Sequence, residues 1–303
     1  MKLIVLMSTY NGENYIREQL DSLLRQSLRP DLIYIRDDGS KDDTMAILEE
    51  YASEHSFIKY YNGKNKGPAK SFWELITTCP QADYYALCDQ DDVWFEDKLK
   101  TAVDALEKEN RDIPLLYCSK YTLTDKDLKP IDSNVSDLYN FSDFPHSLLY
   151  HTAPGCTFVY NEKAREKIMQ YDVEKEYCVI HDAIIHKVVA MFGKMILDED
   201  SHMYYRQHGN NEIGMNANKF KVFIGRVNRF LNSKIKGYRS KTAKSLLHVY
   251  GDEVDVDKKE LLNIVANYMS DPALKKQLLN DERFKSHSVN DLFFKVLVLF
   301  NYI

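Results

Sequence analysis

Cysteine is scarce in this 303-residue sequence, and the five that occur are scattered along the chain. No two of them form the C-x-x-C pair typical of metal and redox sites. An odd number of scattered cysteines also fits a disulfide framework poorly. We therefore predict ordinary buried thiols in a reducing compartment, at positions Cys79, Cys88, Cys118, Cys156 and Cys178.

Long apolar runs are also missing. No segment approaches the ~20 consecutive apolar residues that a membrane-spanning helix needs. The apolar start, residues 1–7, meets the polar residues 8–13 too early for the hydrophobic region of a signal peptide. We read it as a buried first strand. The expected location is the cytoplasm, with peripheral attachment to the inner face of the cell membrane as the one membrane contact left open.

Neither sign of charge dominates the sequence. The formal net charge of −6 is modest and argues against nucleic acid as the main partner. With 44% hydrophobic and 28% charged residues, the chain has the composition of a globular protein. We find no internal repeat, no low-complexity tract and no Gly-rich phosphate loop near the N-terminus.

Short apolar runs alternate with helical patterns over the first hundred residues. This alternation predicts an α/β fold, with a mostly parallel central sheet flanked by helices. The predicted strands are 3–7, 32–35, 57–61 and 84–88, and the predicted helices are 14–26, 43–53 and 69–77.

Three polar motifs directly follow predicted strands. They are Ser8-Thr9-Tyr10-Asn11, Asp37-Asp38-Gly39-Ser40 and Asp89-Gln90-Asp91-Asp92. In parallel sheets, ligands bind outside the carboxyl ends of the strands. The sequence therefore predicts a ligand site at this edge of the sheet.

The acidic motif at 89–92 has the chemistry of a cation site. Carboxylates at this spacing repel one another, and a divalent metal relieves the repulsion. Mg²⁺ or Mn²⁺ suits the oxygen ligands. The alternative is a solvated acidic turn that caps the next helix. At the motif 37–40, the carboxylates are suited to accept hydrogen bonds from a base or ribose, although Asp, Gly and Ser are also ordinary turn residues.

The rest of the chain has a mixed middle and a helical end. We predict strands at 115–121 and 155–160, helices at 162–170 and 182–191, and a polar loop at 125–142. After about Met215 the sequence is helical throughout. The predicted domains are 1–215, with a nucleotide-sugar half of about 1–114 and an acceptor half of about 115–215, and a helical C-terminal domain, 216–303.

Together these motifs resemble family 2 glycosyltransferases of the GT-A fold, and most closely a bacterial cell-surface polysaccharide branch that includes rhamnosyltransferases. The resemblance covers about residues 1–215 and lies in these segments: Ser8 to Asn11 with Glu13, Gln26, Arg36 to Ser40, Asp89 to Trp94, Gly155-Cys156, His181-Asp182 and Tyr205 to Asn211. It implies an inverting, metal-dependent transfer of sugar from a nucleotide-diphosphate sugar to a glycan acceptor, lipid-linked or on a glycoprotein.

The resemblance also implies roles for individual residues. The donor nucleotide would meet Thr9, Tyr10, Asn11, Glu13, Asp38, Lys70, Asp89 and Gln90. Asp91 would be the direct ligand of Mn²⁺ or Mg²⁺, joined by His208, for which a capping or core role is the alternative. The donor would be dTDP-rhamnose or a UDP-hexose.

An inverting transfer needs a general base that takes the proton of the acceptor hydroxyl. In the family this base is an acidic residue at the head of a late helix, and Asp182 fits that place. Its alternative role is a plain helix N-cap. Weaker competitors are Asp172, Glu174, Glu176 and Asp198.

Three other functions remain open from the sequence. The chain could be a catalytically silent sugar-nucleotide-binding or scaffold protein. It could be a nucleotidyltransferase, although no Gly-rich phosphate loop near the N-terminus supports this function. It could also be a phosphatase with Asp37 as nucleophile, although that function does not explain the 89–92 cluster.

The tail carries a basic amphipathic pattern. Residues 219–244 contain nine Lys or Arg and no acidic residue, with Phe220, Phe223, Val227 and Phe230 at near-helical spacing. Such a helix suits an anionic membrane surface or packs its aromatic stripe on the catalytic domain. The apolar end, 292–300, is too short to span a bilayer and could dock on the domain, dip into the interface or pair with a second copy.

Overall fold

The computed structural model describes residues 1–131, 143–150, 153–208, 236–285 and 290–302. The strands are β1 (Leu3–Thr9), β2 (Leu32–Asp37), β3 (Ile58–Asn62), β4 (Tyr84–Cys88), β5 (Val93–Trp94), β6 (Leu115–Thr124), β7 (Val159–Asn161) and β8 (Lys194–Arg206). The helices are α1 (Ile16–Leu24), α2 (Thr44–Glu54), α3 (Pro68–Thr78), α4 (Lys98–Leu106), α5 (Phe144–Ser147), α6 (Glu162–Ile168), α7 (His181–Phe192), α8 (Tyr238–Tyr250), α9 (Val256–Asn267), α10 (Pro272–Asn280) and α11 (Asn290–Leu299).

The strands form one sheet in the order β3-β2-β1-β4-β7-β6-β8-β5. The first four are parallel neighbours, and β6 also runs parallel to β8. Only the short strands β7 and β5 run antiparallel to their neighbours. The predicted mostly parallel sheet flanked by helices is thus confirmed.

The sheet is buried on both faces. Along β1, Leu3, Val5 and Met7 join the core beneath α1, α2 and α4, whereas Ile4 and Leu6 join the core beneath α3, α6 and α7. This alternation follows from the two-residue period of a strand. Because both faces need apolar side chains, β1 is a continuous apolar run, as is usual for a central parallel strand.

The element predictions hold best in the first hundred residues, where every predicted strand and helix is present within a few positions. The strand predicted at 155–160 is wrong in its first half, because Gly155–Thr157 forms a 3₁₀ turn before β7. Strands β5 and β8 were not predicted. Part of the loop predicted at 125–142 lies outside the described residues.

The C-terminal helices are present, and they share a core with the sheet. Leu246, Tyr250 and Leu262 belong to the same buried cluster as Phe72 of α3 and Val188 of α7. The domain boundary predicted near Met215 and most of the basic pattern at 219–244 lie outside the described residues. In the described part of the chain, no helix is long and apolar enough to cross a bilayer. All five cysteines are free thiols, and four of them are buried as predicted, whereas Cys178 is partly exposed.

Candidate active site

The turns that follow β1 and β2 are fastened to each other. The hydroxyl of Thr9 donates to Asp37 Oδ1 at 2.9 Å. The amide of Asn11 donates to Ser40 Oγ at 2.9 Å, and Asn11 Oδ1 accepts from the amide of Lys41 at 2.8 Å. Two of the three sequence motifs therefore form one surface at the carboxyl edge of the sheet.

Gln90 ties the third motif to the first. Its Oε1 accepts from the amide of Tyr10 at 2.8 Å, and its Nε2 donates to the carbonyl of Tyr10 at 2.9 Å. A Cβ on Gly12 would lie 2.3 Å from Gln90 Oε1, so a larger residue at this position would displace the Gln90 carboxamide from these hydrogen bonds. The ring of Tyr10 is left 46% exposed, open to a ligand on this surface.

Asp38 is almost completely buried, and its carboxylate fastens the loop after β3. It accepts from the guanidinium of Arg36 at 2.6 Å and from the amides of Lys66 and Gly67, both at 2.8 Å. Arg36 also pairs with Glu74 of α3 at 3.1 Å. The contact of Asp38 with the base or ribose stays a prediction. Sequence reasoning missed the role of Arg36, for which the only signal was its place in the 36–40 motif.

Two other predicted nucleotide residues have protein partners. Glu13 Oε2 accepts from the amide of Asp43 at 2.9 Å, at the start of α2. Lys70 Nζ pairs with Glu174 at 2.6 Å, and both side chains are well exposed. An exposed ion pair of this kind contributes little to stability. Lys70 is therefore free to exchange Glu174 for an anionic ligand at little cost.

The carboxylates of the acidic motif lie close together, in surroundings that disfavour their ionised form. Burial, and then the Asp91 and Asp182 carboxylates, raise the pKa of Asp89 to about 7. Burial and the neighbouring Asp91 and Asp89 charges raise the pKa of Asp92 well above its ordinary value. Ionised, these side chains repel one another, so a cation bound here would be strongly stabilised.

Asp91 and His208, which the family resemblance implies as metal ligands, are brought together. His208 Nε2 lies 2.8 Å from Asp91 Oδ2, and the imidazole stacks on Tyr15 at 4.6 Å between centroids. The carbonyl of Asp91 accepts from Arg206 Nε at 2.8 Å, and the Arg206 guanidinium lies 4.7 Å from the same Tyr15 ring. These contacts fix the end of β8 against the acidic motif.

The side chains of the 89–92 motif and His208 fit a divalent metal ion. The described residues also bring ligand atoms of Asp89, Asp92 and Cys156 within 4.8 Å of one another. Burial and the nearby carboxylates raise the pKa of the Cys156 thiol, which keeps it protonated and a poor ligand for a hard cation. Oxygen ligands from the motif, with the imidazole of His208, remain the suitable set for Mn²⁺ or Mg²⁺.

Asp182, predicted as the base, lies beside this cluster although it follows Asp89 by 93 residues. Its Oδ2 accepts from the amide of Gly155 at 3.0 Å. The N-cap of α7 is Ile180, so Asp182 is not the plain helix cap considered as its alternative. Next to it, His181 stacks on Phe72 at 4.3 Å.

The four competitors of Asp182 are engaged elsewhere. Glu174 pairs with Lys70, and Asp172 pairs with Lys175 at 2.9 Å. Glu176 pairs with His248 at 2.6 Å, and Asp198 accepts from the hydroxyl of Tyr117 at 2.6 Å. Of the five acidic candidates, Asp182 is the one whose charge acts on Asp89.

An open polar cleft of about 380 Å³ adjoins the side of the site that carries His208. It is lined by Asn14, Tyr15, Glu18, Lys126, Asp127, Leu128 and Arg206. Its wall includes the Tyr15 ring that stacks on His208, so the cleft and the acidic motif share a border.

Residues 4–169 match the sequence profile of the family described as "Glycosyl transferase family 2", which is more than half of the chain. The chain is a family 2 glycosyltransferase. The enzyme is 30% identical over 248 residues to the "dTDP-rhamnosyl transferase RfbG" of Shigella flexneri, a match that covers 78% of this chain and 82% of that protein.

Solved structures establish the fold of this glycosyltransferase. It is similar to S. aureus TarS 1-349 in complex with UDP-GlcNAc, with a TM-score of 0.57 and 16% identity, covering 100% of this chain and 91% of that one. It is also similar to the mannosyltransferase PcManGT from Pyrobaculum calidifontis in complex with GDP-Man and Mn²⁺, with a TM-score of 0.57, 14% identity and coverage of 99% and 84%. The predicted GT-A fold, with C-terminal helices, is confirmed.

Proposed function

We propose that this glycosyltransferase transfers a sugar, with inversion and with Mn²⁺ or Mg²⁺, from a nucleotide-diphosphate donor to an acceptor glycan. The observation that carries the proposal is the meeting of Asp182 with the 89–92 motif. This meeting supports the proposal, because a direct displacement needs a base and a group that stabilises the leaving diphosphate on separate elements of one site.

Different residues of the chain would bind the nucleotide, hold the metal and accept the proton. The turns that carry Thr9, Tyr10, Asn11 and Asp38 would hold the base and ribose, with the buried side chains of Thr9 and Asp38 fixing these turns from within. Lys70 would lie near the nucleotide. Asp91 and His208 would hold the metal, which stabilises the negative charge that develops on the leaving diphosphate. Asp182 would accept the proton of the acceptor hydroxyl as its oxygen forms a bond to the anomeric carbon and the bond from that carbon to the diphosphate breaks.

For the donor we propose dTDP-rhamnose first and a UDP-hexose second, in the assembly of a bacterial surface polysaccharide or glycoprotein glycan. Support comes from RfbG, named a dTDP-rhamnosyl transferase, which aligns along most of both chains. The structural neighbours carry UDP-GlcNAc and GDP-Man, so the fold itself accommodates several donors.

A panel of sugar nucleotides tests this choice. With Mn²⁺ present, a donor at 100 times its Kd should add about 2.7 kcal/mol of stability, or roughly 5 °C in Tm. We expect dTDP-rhamnose to give the largest shift in a thermal unfolding assay, with free rhamnose and ATP as controls. If no sugar nucleotide shifts the Tm, the proposed donor site is wrong.

A catalytically silent sugar-nucleotide-binding protein is the alternative. It would show the same thermal shifts without chemistry. Release of nucleoside diphosphate from the stabilising donor, with water or a glycan as acceptor, therefore separates an enzyme from a silent binding protein.

We also propose that the enzyme meets a membrane surface at which a lipid-linked acceptor is held. At the end of α11, Leu299 and Phe300 are 56% and 66% exposed, whereas Leu297 and Val298 are packed into the core. Truncating the helix would thus open the core, and point changes are the better test.

Leu299→Ser combined with Phe300→Ser should reduce flotation of the protein with anionic liposomes, because two apolar side chains are lost from the interface. Val256→Ser, at an exposed valine at the start of α9, is the matched control. Equal flotation of the double variant and the wild type would exclude membrane contact through this end.

A further inference from the structure

The guanidinium of Arg206 joins three segments of the chain that are distant in sequence. Arg206 is the last residue of β8 and is only 2% exposed. Its guanidinium donates to the carbonyl of Asp91 at 2.8 Å and to the carbonyl of Lys126, after β6, at 2.6 Å. It also pairs with the carboxylate of Glu18 on α1. One side chain therefore fastens the acidic motif to α1 and to the loop after β6.

Arg206 is connected to both proposed metal ligands, Asp91 and His208. Its Nε holds the carbonyl of Asp91, and its main-chain amide donates to Oδ1 of the neighbouring Asp92 at 3.2 Å. Its guanidinium also lies 4.7 Å from the centroid of the Tyr15 ring, which stacks on the His208 imidazole at 4.6 Å between centroids. The main chain of one proposed ligand and the ring beside the other are thus held by one side chain.

An arginine suits this position because of the shape of its head group. The guanidinium is planar and carries five N–H donors in a fixed fork, so it can bind several oxygens and lie against an aromatic ring at once. A lysine has a single ammonium on a flexible chain and does not reproduce this set of contacts. The positive charge is paired with Glu18, whose side chain is 55% exposed, so the buried guanidinium is compensated outside the acidic motif.

We propose that Arg206 is a positioning residue that holds Asp91 and His208 in the arrangement that binds the divalent cation. The inference rests on the proposed function, since it concerns the same metal site. Arg206 has no acceptor atom and is not a ligand itself; it acts through the carbonyl of Asp91 and the ring of Tyr15. Groups that orient metal ligands in this way contribute about 10- to 100-fold to metal affinity.

The test is the affinity for Mn²⁺, alone and with dTDP or UDP present, measured from the electron paramagnetic resonance signal of the free ion. We expect Arg206→Met to raise the Kd for Mn²⁺ by about 10- to 100-fold, because both proposed ligands lose a common support. Loss of a positive charge close to a cation site would by itself strengthen Mn²⁺ binding. Positioning and simple electrostatics therefore predict changes of opposite sign, and unchanged or tighter Mn²⁺ binding by Arg206→Met would overturn the inference.

Arg206→Lys separates the geometry of the guanidinium from its charge. This variant keeps the charge but loses the fork, so it should show most of the loss in Mn²⁺ affinity. It also carries the test if Arg206→Met does not fold. Wild-type Mn²⁺ affinity in Arg206→Lys would mean that a cation of any shape is sufficient, which would contradict a positioning role.

Arg165 of α6 provides a matched control. It is also a buried arginine, 7% exposed, which donates to the carbonyls of Ile76 at 2.7 Å and Cys79 at 3.0 Å and pairs with Glu162. Arg165→Met should lower the Tm, as Arg206→Met does, but should leave the Kd for Mn²⁺ at the wild-type value. An equal loss of Mn²⁺ affinity in both variants would identify general destabilisation as the cause and exclude the positioning role.

The open cleft beside Arg206 permits a rescue experiment. Arg206 forms part of the wall of this cleft of about 380 Å³, so the space left in Arg206→Ala should admit a free guanidinium ion. Guanidinium chloride, far below the concentrations that unfold proteins, should restore Mn²⁺ affinity to Arg206→Ala, whereas methylammonium, which lacks the fork, should restore less. Equal gains with both ions, or the same gain in the wild type, would identify a salt effect and count against the inference.

Binding of dTDP and UDP in EDTA separates a support of the metal ligands from a direct contact with the diphosphate. Arg206→Met should bind the metal-free nucleotides as the wild type does. A loss of metal-free nucleotide affinity as large as the loss of Mn²⁺ affinity would show that Arg206 binds the nucleotide itself, and the inference would be wrong.

The wild type measured in parallel separates the two levels of the argument. If the wild type binds Mn²⁺ and Arg206→Met binds it equally well, the inference about Arg206 is wrong while the proposed function stands. If the wild type shows no affinity for Mn²⁺, with or without a nucleotide, the metal dependence in the proposed function is wrong, and the role of Arg206 is wrong with it.

Discussion

Asp182→Asn is expected to lower kcat by about 10³-fold while leaving the affinity for the sugar nucleotide unchanged. An amide cannot take up the acceptor proton, and general-base catalysis contributes about 10²–10⁴ to the rate. The amide has the shape of the carboxylate, and its oxygen can still accept from the amide of Gly155, which the carboxylate does at 3.0 Å. The loss should therefore come from chemistry rather than from a rearranged turn.

The measurement is single-turnover transfer together with calorimetric titration of the donor. Asp172→Asn is the matched control, since its carboxylate pairs with Lys175 at the surface and its loss should change neither quantity. Near wild-type turnover by Asp182→Asn would show that another group removes the proton. A parallel loss of donor affinity would instead indicate that Asp182 supports the binding surface.

The first half of the fold could be predicted because its information is local. Strands such as β1 and β4 are short apolar runs buried on both faces, and each ends at a polar motif. Strand β8 has neither mark. Its centre, Asp198 to Ser201, is charged and partly exposed, and its pairing with β6 shifts register at Ser119 and Lys120. Such a strand is defined by its partner, and local propensity does not reveal it.

The same difference between local patterns and distant partners applies to the candidate site. Most of its proposed residues were identified from compact motifs at the ends of strands, whereas Asp182 was assigned through the family resemblance. The groups that hold them were not identified, because their partners are distant in sequence. Arg36 joins Asp38, Lys64 and Glu74, and nothing in the local pattern indicates that this arginine is completely buried.

Lys187 is a second charged residue whose burial the sequence does not reveal. A lysine in an amphipathic helix is normally read as a surface residue, because burial of an ammonium is rare. The helix α7 is buried on most sides by α3, α5 and α6, with the sheet beneath it. The burial of this side chain is therefore a consequence of how many elements enclose α7, which is a property of the tertiary structure.

Asp91→Ala should remove the metal dependence of donor binding. The variant would lose the proposed direct oxygen ligand, and the imidazole of His208 would lose the carboxylate that lies 2.8 Å from it. Removal of a group that merely orients a ligand costs 10- to 100-fold in metal affinity, so the loss of a ligand should cost about 100-fold or more. In the wild type Mn²⁺ should tighten donor binding strongly, whereas the Kd values of the variant with and without Mn²⁺ should be nearly equal.

Calorimetry of the donor at several Mn²⁺ concentrations measures both effects. Asp104→Ala, at an exposed aspartate that pairs with Lys100 on α4, removes the same charge away from the site and should retain the full metal response. His208→Ala should give an intermediate loss, since the remaining carboxylates still attract the cation. If Mn²⁺ strengthens donor binding by Asp91→Ala as much as by the wild type, Asp89 and Asp92 hold the metal without Asp91, and the role of the pair formed by Asp91 and His208 is structural.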